Sequence, residues 1–135
     1  MTADVGSDLV GEDELLARFI FWHKHLYADG TPKLNAFMPN PARELSMTRH
    51  LQLTENEIWN VGRAVGAVSG RMLRARADLI AMIFFRLKLR VVATPKPDNP
   101  NHADAIDWPV DKPTQKAIAQ EIAAAAGPAL PAPPA

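Results

Sequence analysis

The amino-acid sequence predicts an α+β fold, a small and mostly antiparallel sheet with about three helices packed on one of its faces. Short alternating or β-branched runs bounded by turn residues are typical of strands, and two helix-start signals lie among them, at Thr54 and Asp111. The chain has 135 residues, of which 47% are hydrophobic and 22% charged, as expected for one domain with one core. We expect that domain to span residues 15–126, between a flexible acidic arm at 1–14 and a disordered Pro/Ala tail at 127–135.

The first half of the domain is predicted to hold three strands. Aromatic residues favour a strand over residues 19–27. The turn signal Asp-Gly-Thr-Pro at 29–32 then predicts a hairpin with a second strand over 33–38. Residues 44–51 alternate apolar and polar side chains with the period of a half-buried strand, which predicts the third.

The second half carries the helix signals. Thr54 and Glu57 have the spacing of a capping box, and apolar residues at helical spacing follow it until Gly66 or Gly70. A further strand is expected over 73–77. The remaining elements are expected in this order: a helix capped by Asp78, a strand over 89–94, an edge strand around Ile106 and Trp108, and a helix over 113–126 that Asp111 caps and Gly127 ends.

The composition excludes several classes of function. The chain has no cysteine, which excludes a disulfide framework, a thiolate metal site and a cysteine nucleophile. Its longest charge-free apolar stretch, residues 79–85, is too short to cross a membrane as a helix, so no membrane contact is predicted. The acidic start lacks the basic and apolar regions of a secretory signal, which predicts a cytoplasmic location. No P-loop, dinucleotide-binding fingerprint or nucleophile elbow is present, and no cofactor is predicted.

Histidines supply the candidate catalytic groups, because their side chains exchange protons near neutral pH. His23 and His25 lie two residues apart and would share one face of a strand, which suits a metal pair. Such pairs are also common on exposed strands without metal, and no metal is predicted. An enzyme acting on a phosphate would add an arginine for the anion and a carboxylate. The candidate catalytic residues are His23, His25, Arg49, His50, His102 and Asp104.

Candidate binding residues lie in a loop and in a basic segment. Residues 99–109 are dense in polar residues and prolines, which is typical of a binding loop. The alternative is that Asn and Asp cap turns there and Trp108 fills the core. Residues 62–90 carry seven basic residues against Asp78 alone. The candidates are Asn99, Asn101, His102, Trp108, Arg71, Arg74 and Arg76.

Three functions from different classes follow from these patterns. The leading one is a small accessory or interaction protein that binds another macromolecule, either a partner subunit or a second copy in a homo-oligomer. The alternative is a small hydrolase or transferase that acts on a nucleotide or phosphate ester. The third is a nucleic-acid-binding module that uses the basic segment, which requires its arginines to form one stripe.

Overall fold

A computed structural model describes residues 9–134, which fold into one sheet, three α-helices and two 3₁₀ turns. The strands are β1 (Leu15–Ile20), β2 (Leu45–Arg49), β3 (Ala75–Ile80), β4 (Arg90–Ala93), β5 (His102–Ile106) and β6 (Leu130–Pro131). The helices are α1 (Glu55–Val68), α2 (Ala81–Arg86) and α3 (Lys112–Ala126), and the 3₁₀ turns are His23–His25 and Leu34–Phe37. The predicted α+β class is confirmed. No helix within residues 9–134 has the length and apolar character needed to cross a bilayer.

The six strands form a single sheet in the order β4-β5-β2-β1-β3-β6, and every neighbouring pair is antiparallel. The predicted antiparallel sheet is therefore confirmed. The strand around Ile106, expected at an edge, lies instead between β4 and β2. Its side chains Ala103 and Ala105 are fully buried, as a strand with a neighbour on each side requires.

Helices cover both faces of the sheet, so the expectation that they share one face was wrong. The larger core cluster joins sheet residues such as Leu16 and Leu79 to Phe84 of α2 and Ile122 of α3. On the other face, α1 packs its residues Ile58 and Trp59 against a smaller cluster of sheet residues. The apolar stripe of α1 thus finds a separate partner surface, because side chains of a strand alternate between the two faces.

The predicted hairpin over residues 19–38 is wrong. The first strand begins earlier, at Leu15, and the aromatic segment leaves the sheet after Ile20. His23–His25 and Leu34–Phe37 are 3₁₀ turns, and a single bridge between Leu26 and Pro32 is the only β pairing between them. Trp22 is half-exposed. Aromatic residues favour strands, but the chain turns away from the sheet at this point, and the turn outweighs that preference.

The capping predictions hold at the ends of α1 and α3. Thr54 Oγ1 accepts a hydrogen bond from the Glu57 backbone N–H at 3.2 Å, and the Glu57 carboxylate accepts one from the Thr54 N–H at 2.8 Å. Asp111 caps α3 through the backbone N–H of Thr114, and Gly127 follows the helix at a φ of +65°. Asp78 is not a helix cap, because it lies inside β3 and α2 begins only at Ala81.

The C-terminal segment is not the disordered tail that its composition suggests. Leu130 and Pro131 pair with Arg76 and Ala75 of β3, and the Ala132 N–H donates to the Arg74 carbonyl at 2.9 Å. A proline-containing extended segment fits this position because an edge strand needs hydrogen bonds on one side only.

The acidic arm is also partly ordered. Residues 1–8 lie outside the described residues, so the expected flexibility is untested there. Leu9 bridges to Val92 of β4, and the Glu14 carboxylate accepts two hydrogen bonds from the Arg49 guanidinium, at 2.7 and 2.8 Å. These contacts hold residues 9–14 against the sheet, contrary to the expected flexible arm.

The close approach of the end of α1 to the segments that follow α1 and β1 depends on Gly66. A Cβ at this position would lie 2.5 Å from the backbone oxygen of Arg71 and 2.9 Å from the ring of Phe21. Alanine favours helix by about 1 kcal/mol, but a backbone oxygen cannot move aside as a flexible side chain does. We therefore expect Gly66→Ala to lower the free energy of unfolding by roughly 1–3 kcal/mol in urea titrations. Asn60→Ala, at an exposed position of the same helix, is the control, and an equal or higher stability for Gly66→Ala would contradict the packing.

Candidate functional site

The site begins where the pairing of β1 and β2 stops. These strands pair at Leu16 with Arg49 and at Ala17 with Thr48, and the next residue of β1 is Arg18. The Arg18 guanidinium lies where pairing would continue. Its Nη1 donates to the Ser46 carbonyl at 2.9 Å and its Nε donates to the Ala36 carbonyl at 2.8 Å. Arg18 thus satisfies backbone oxygens that no neighbouring strand reaches.

A cleft of about 360 Å³ opens over this point, between the sheet and the end of α1. Three cationic side chains line the cleft, and Asp98 is the one carboxylate in its lining. Its apolar wall comes from α1, from β1 and from the chain that follows β1. The cations are Arg18, Arg71 and Lys96, and the apolar wall is Phe19, Phe21, Val65 and Val68.

Of the three cations in the cleft, Arg18 is the one best suited to bind an anion. None of the ion pairs within residues 9–134 includes it, and the two partners described above are neutral carbonyl groups. Burial, followed by the positive charge of Arg71, lowers the pKa of Arg18 to about 10. The guanidinium is still charged at neutral pH, but its charge is poorly compensated.

The positive potential extends to the neighbouring histidine. His25 and Arg18 both line a second hollow beside the cleft. Burial lowers the pKa of His25, and the charges of Arg18, Arg71 and Lys33 lower it further. Arg71 also stacks over the ring of Phe21, with its guanidinium carbon 5.0 Å from the ring centroid. Cationic charge is therefore concentrated around the cleft in spite of the zero net charge of the chain.

His102 is the histidine in the lining of the cleft. Its Nδ1 lies 3.1 Å from the Thr94 carbonyl oxygen and 2.8 Å from Thr94 Oγ1. Since a carbonyl oxygen can only accept, Nδ1 carries the proton and Nε2 is the ring nitrogen with the lone pair. Burial lowers the pKa of His102, although the charge of Asp104 opposes this.

Asp104 supports this histidine from beneath the cleft. Thr94 Oγ1 donates to Asp104 Oδ2 at 2.9 Å, which leaves the hydroxyl oxygen to accept from His102 Nδ1. The other carboxylate oxygen accepts from Ser46 Oγ at 3.2 Å. The direct distance from His102 Nδ1 to the carboxylate is 3.9 Å. His102 is therefore held in one orientation and in one tautomer by its neighbours.

The structure brings together only two of the six candidate catalytic residues, His102 and Asp104. Arg49 binds Glu14, and His50 Nε2 lies 3.0 Å from Asp78 Oδ1, so neither lines the cleft. The other two, His23 and His25, lie on a 3₁₀ turn and do not share a strand face. No group of three or more potential metal ligands occurs within residues 9–134.

The candidate binding residues also separate. His102, Asn99 and Arg71 line the cleft, and Asn99 Nδ2 donates to Thr48 Oγ1 at 2.8 Å. Asn101 donates its side-chain amide to the Arg49 carbonyl, outside the cleft. The remaining three lie outside the cleft: Trp108 is buried in the core, Arg76 is buried in ion pairs, and Arg74 is exposed beside β6.

Arg18, Lys96 and Phe21 belong to the cleft and were missed as functional residues. For Arg18, a signal was present: it interrupts an otherwise apolar alternation from Leu16 to Ile20. A strand start at Phe19 hid that alternation. Comparisons of this chain with protein-family models, curated proteins and solved structures found no match.

Proposed function

We propose that the protein binds a small molecule carrying a phosphate group, and that the phosphate lies against Arg18 in the cleft. The observation that carries this proposal is the Arg18 guanidinium, which no carboxylate among residues 9–134 neutralises. A partly buried cation without a counter-charge is unfavourable, and an oxyanion relieves that cost. Arginine also matches a phosphate with two parallel N–H donors.

The remaining lining fits the rest of such a ligand. Arg71 and Lys96 add positive charge, while Phe21, Val65 and Val68 offer an apolar wall to an organic group. A volume of about 360 Å³ lies within the usual range for small-molecule sites. A phosphate ester with a ring or short apolar group matches both parts.

The arrangement of the basic residues favours a small ligand over a nucleic acid. Arg76 is 2% exposed and bound to Asp78 and Glu55, and Arg90 is paired with Asp107 at 2.6 Å. These side chains are not available to a continuous row of phosphates. Binding to a partner subunit or a second copy stays a prediction, as does a cytoplasmic location.

Isothermal titration calorimetry with phenyl phosphate tests the proposal directly. We expect saturable binding to the wild-type chain and at least a tenfold loss of affinity in Arg18→Met, because the main counter-charge is removed. Arg71→Met and Lys96→Met, at exposed positions, should each weaken binding several-fold without endangering the fold. Arg86→Met removes an exposed arginine outside the cleft and is the matched control.

Circular dichroism establishes whether each variant is folded. Benzyl alcohol, which lacks the phosphate, should not bind at comparable concentrations. Equal affinities for the wild type and for the folded Arg71→Met and Lys96→Met variants would overturn the proposal, as would the absence of saturable phenyl phosphate binding.

A further inference from the structure

We propose that His102 is the residue that selects the ionic form of the ligand: it takes up a proton as the phosphate binds, and the cleft therefore prefers phosphate monoesters to diesters. This inference rests on the proposed function. It starts from the tautomer of the ring, which the geometry fixes.

In the free protein, the ring nitrogen of His102 that Thr94 does not engage is a poor partner for an anion. Its Nδ1–H is engaged by the carbonyl and hydroxyl oxygens of Thr94. The remaining nitrogen, Nε2, then carries a lone pair, which repels a phosphate oxygen. Protonation turns Nε2 into a donor without disturbing the bonds at Nδ1, because Thr94 accepts from the same N–H in both states. The uptake of one proton at Nε2 therefore changes the His102 ring from one that repels a phosphate oxygen to one that binds it.

The charged groups around the ring explain why a bound ligand can cause His102 to take up a proton. Burial comes first among the causes that keep the His102 pKa below its ordinary value, and the charge of Lys96 adds to it. The carboxylates of Asp104 and Asp98 act in the opposite direction. A bound anion adds to the effect of those carboxylates and raises the pKa of the ring. The charged and polar side chains around His102 are Asp104 on its own strand, Thr94, Lys96 and Asp98 after β4, Ser46 and Thr48 on β2, and Arg18 and Arg71 across the cleft.

Ligand charge then becomes a selection criterion. A phosphate monoester has a second pKa of about 6 and carries nearly two negative charges at pH 7.5, whereas a diester carries one. The monoester therefore shifts the protonation equilibrium of His102 more strongly than the diester does. The protonated Nε2 then donates a further hydrogen bond to it. By linkage, its affinity must rise as the pH falls from 8 towards 7, where the ester itself stays largely dianionic.

The test uses the full chain and phenyl phosphate at pH 7.5. Calorimetry in two buffers with different ionisation enthalpies gives the number of protons taken up, which we expect to lie between about one half and one. Methyl phenyl phosphate should bind at least tenfold more weakly, with uptake close to zero. His102→Gln should remove the uptake and reduce the preference for the monoester, while the exposed His23→Gln control keeps both.

Nuclear magnetic resonance of the wild-type protein tests the proposal without a variant that could misfold. In the wild-type protein, the ring resonances of His102 should shift to those of an imidazolium at saturating phenyl phosphate. Binding with no proton uptake and an unchanged His102 resonance would overturn the role of His102 and leave the phosphate site standing. Failure of phenyl phosphate to bind at all would overturn both.

Discussion

Trp108→Ala should lower the free energy of unfolding by roughly 3–5 kcal/mol, the range for a buried tryptophan replaced by alanine. Trp108 is 2% exposed and belongs to the larger core cluster. Its indole N–H donates to the Ala105 carbonyl at 3.0 Å. The small residues of β5 beside it cannot close the cavity, since Ala103 and Ala105 are already fully buried.

Urea unfolding followed by far-UV circular dichroism gives the free energy for each variant. Trp108→Phe keeps most of the volume and loses the indole hydrogen bond, so its loss should be smaller than that of Trp108→Ala. Trp22→Ala is the matched control, because Trp22 is 51% exposed and outside both core clusters. A Trp108→Ala variant as stable as the wild type would contradict the placement of this side chain and reopen its role as a binding residue.

The second large effect is expected at Asp78. The Arg76 guanidinium is 2% exposed, and Asp78 accepts from both its Nε and its Nη2 at 3.0 Å. His50 contacts the same carboxylate. Asp78→Ala leaves Arg76 with Glu55, whose side chain is 62% exposed. We expect a loss of roughly 3 kcal/mol, as for other buried ion pairs that lose one partner. Glu121→Ala, at an exposed position of α3, is the control and should change stability by less than about 0.5 kcal/mol.

The same carboxylate gives the fold a dependence on pH. Burial alone raises the pKa of Asp78, but hydrogen bonds from His50 and Arg76 outweigh it and hold the pKa below its ordinary value. A group with a lowered folded pKa contributes stability above its unfolded pKa, about 3.9, and loses it as the pH falls through the folded value. The wild-type free energy of unfolding should therefore fall below about pH 4, and Asp78→Asn should show a shallower fall. Parallel curves for the two proteins would contradict this assignment.

Local signals in the sequence predict the starts of α1 and α3, because a cap is made by residues close together in the chain. Thr54 with Glu57 and Asp111 with Thr114 are such cases, and their hydrogen bonds are present. The aromatic segment after Ile20 is the opposite case. The preference of its aromatic residues for strands is a local property. Where the chain turns is determined by the packing of distant elements.

The candidate site is harder to predict for the same reason. The segment 99–109 is predicted to be a binding loop, and Asn99 and His102 line the cleft from it. Arg18 and Arg71 join them only because β1 lies two strands away from β5 and α1 crosses the opposite face from α2 and α3. Strand order and layer assignment are properties of the whole chain, which no window of sequence contains.

The ordered C-terminal segment has a consequence for how the protein meets copies of itself. An outer strand with free backbone groups is a template on which another chain can add, and that is how many sheets aggregate. Here the first two residues of β3, Ala75 and Arg76, are covered by a strand that ends in Pro131, and a proline has no N–H to offer a further strand. At the other side, the bridge from Leu9 occupies part of β4. The proline-rich C-terminal segment thus hinders the addition of strands from other chains at this edge of the sheet.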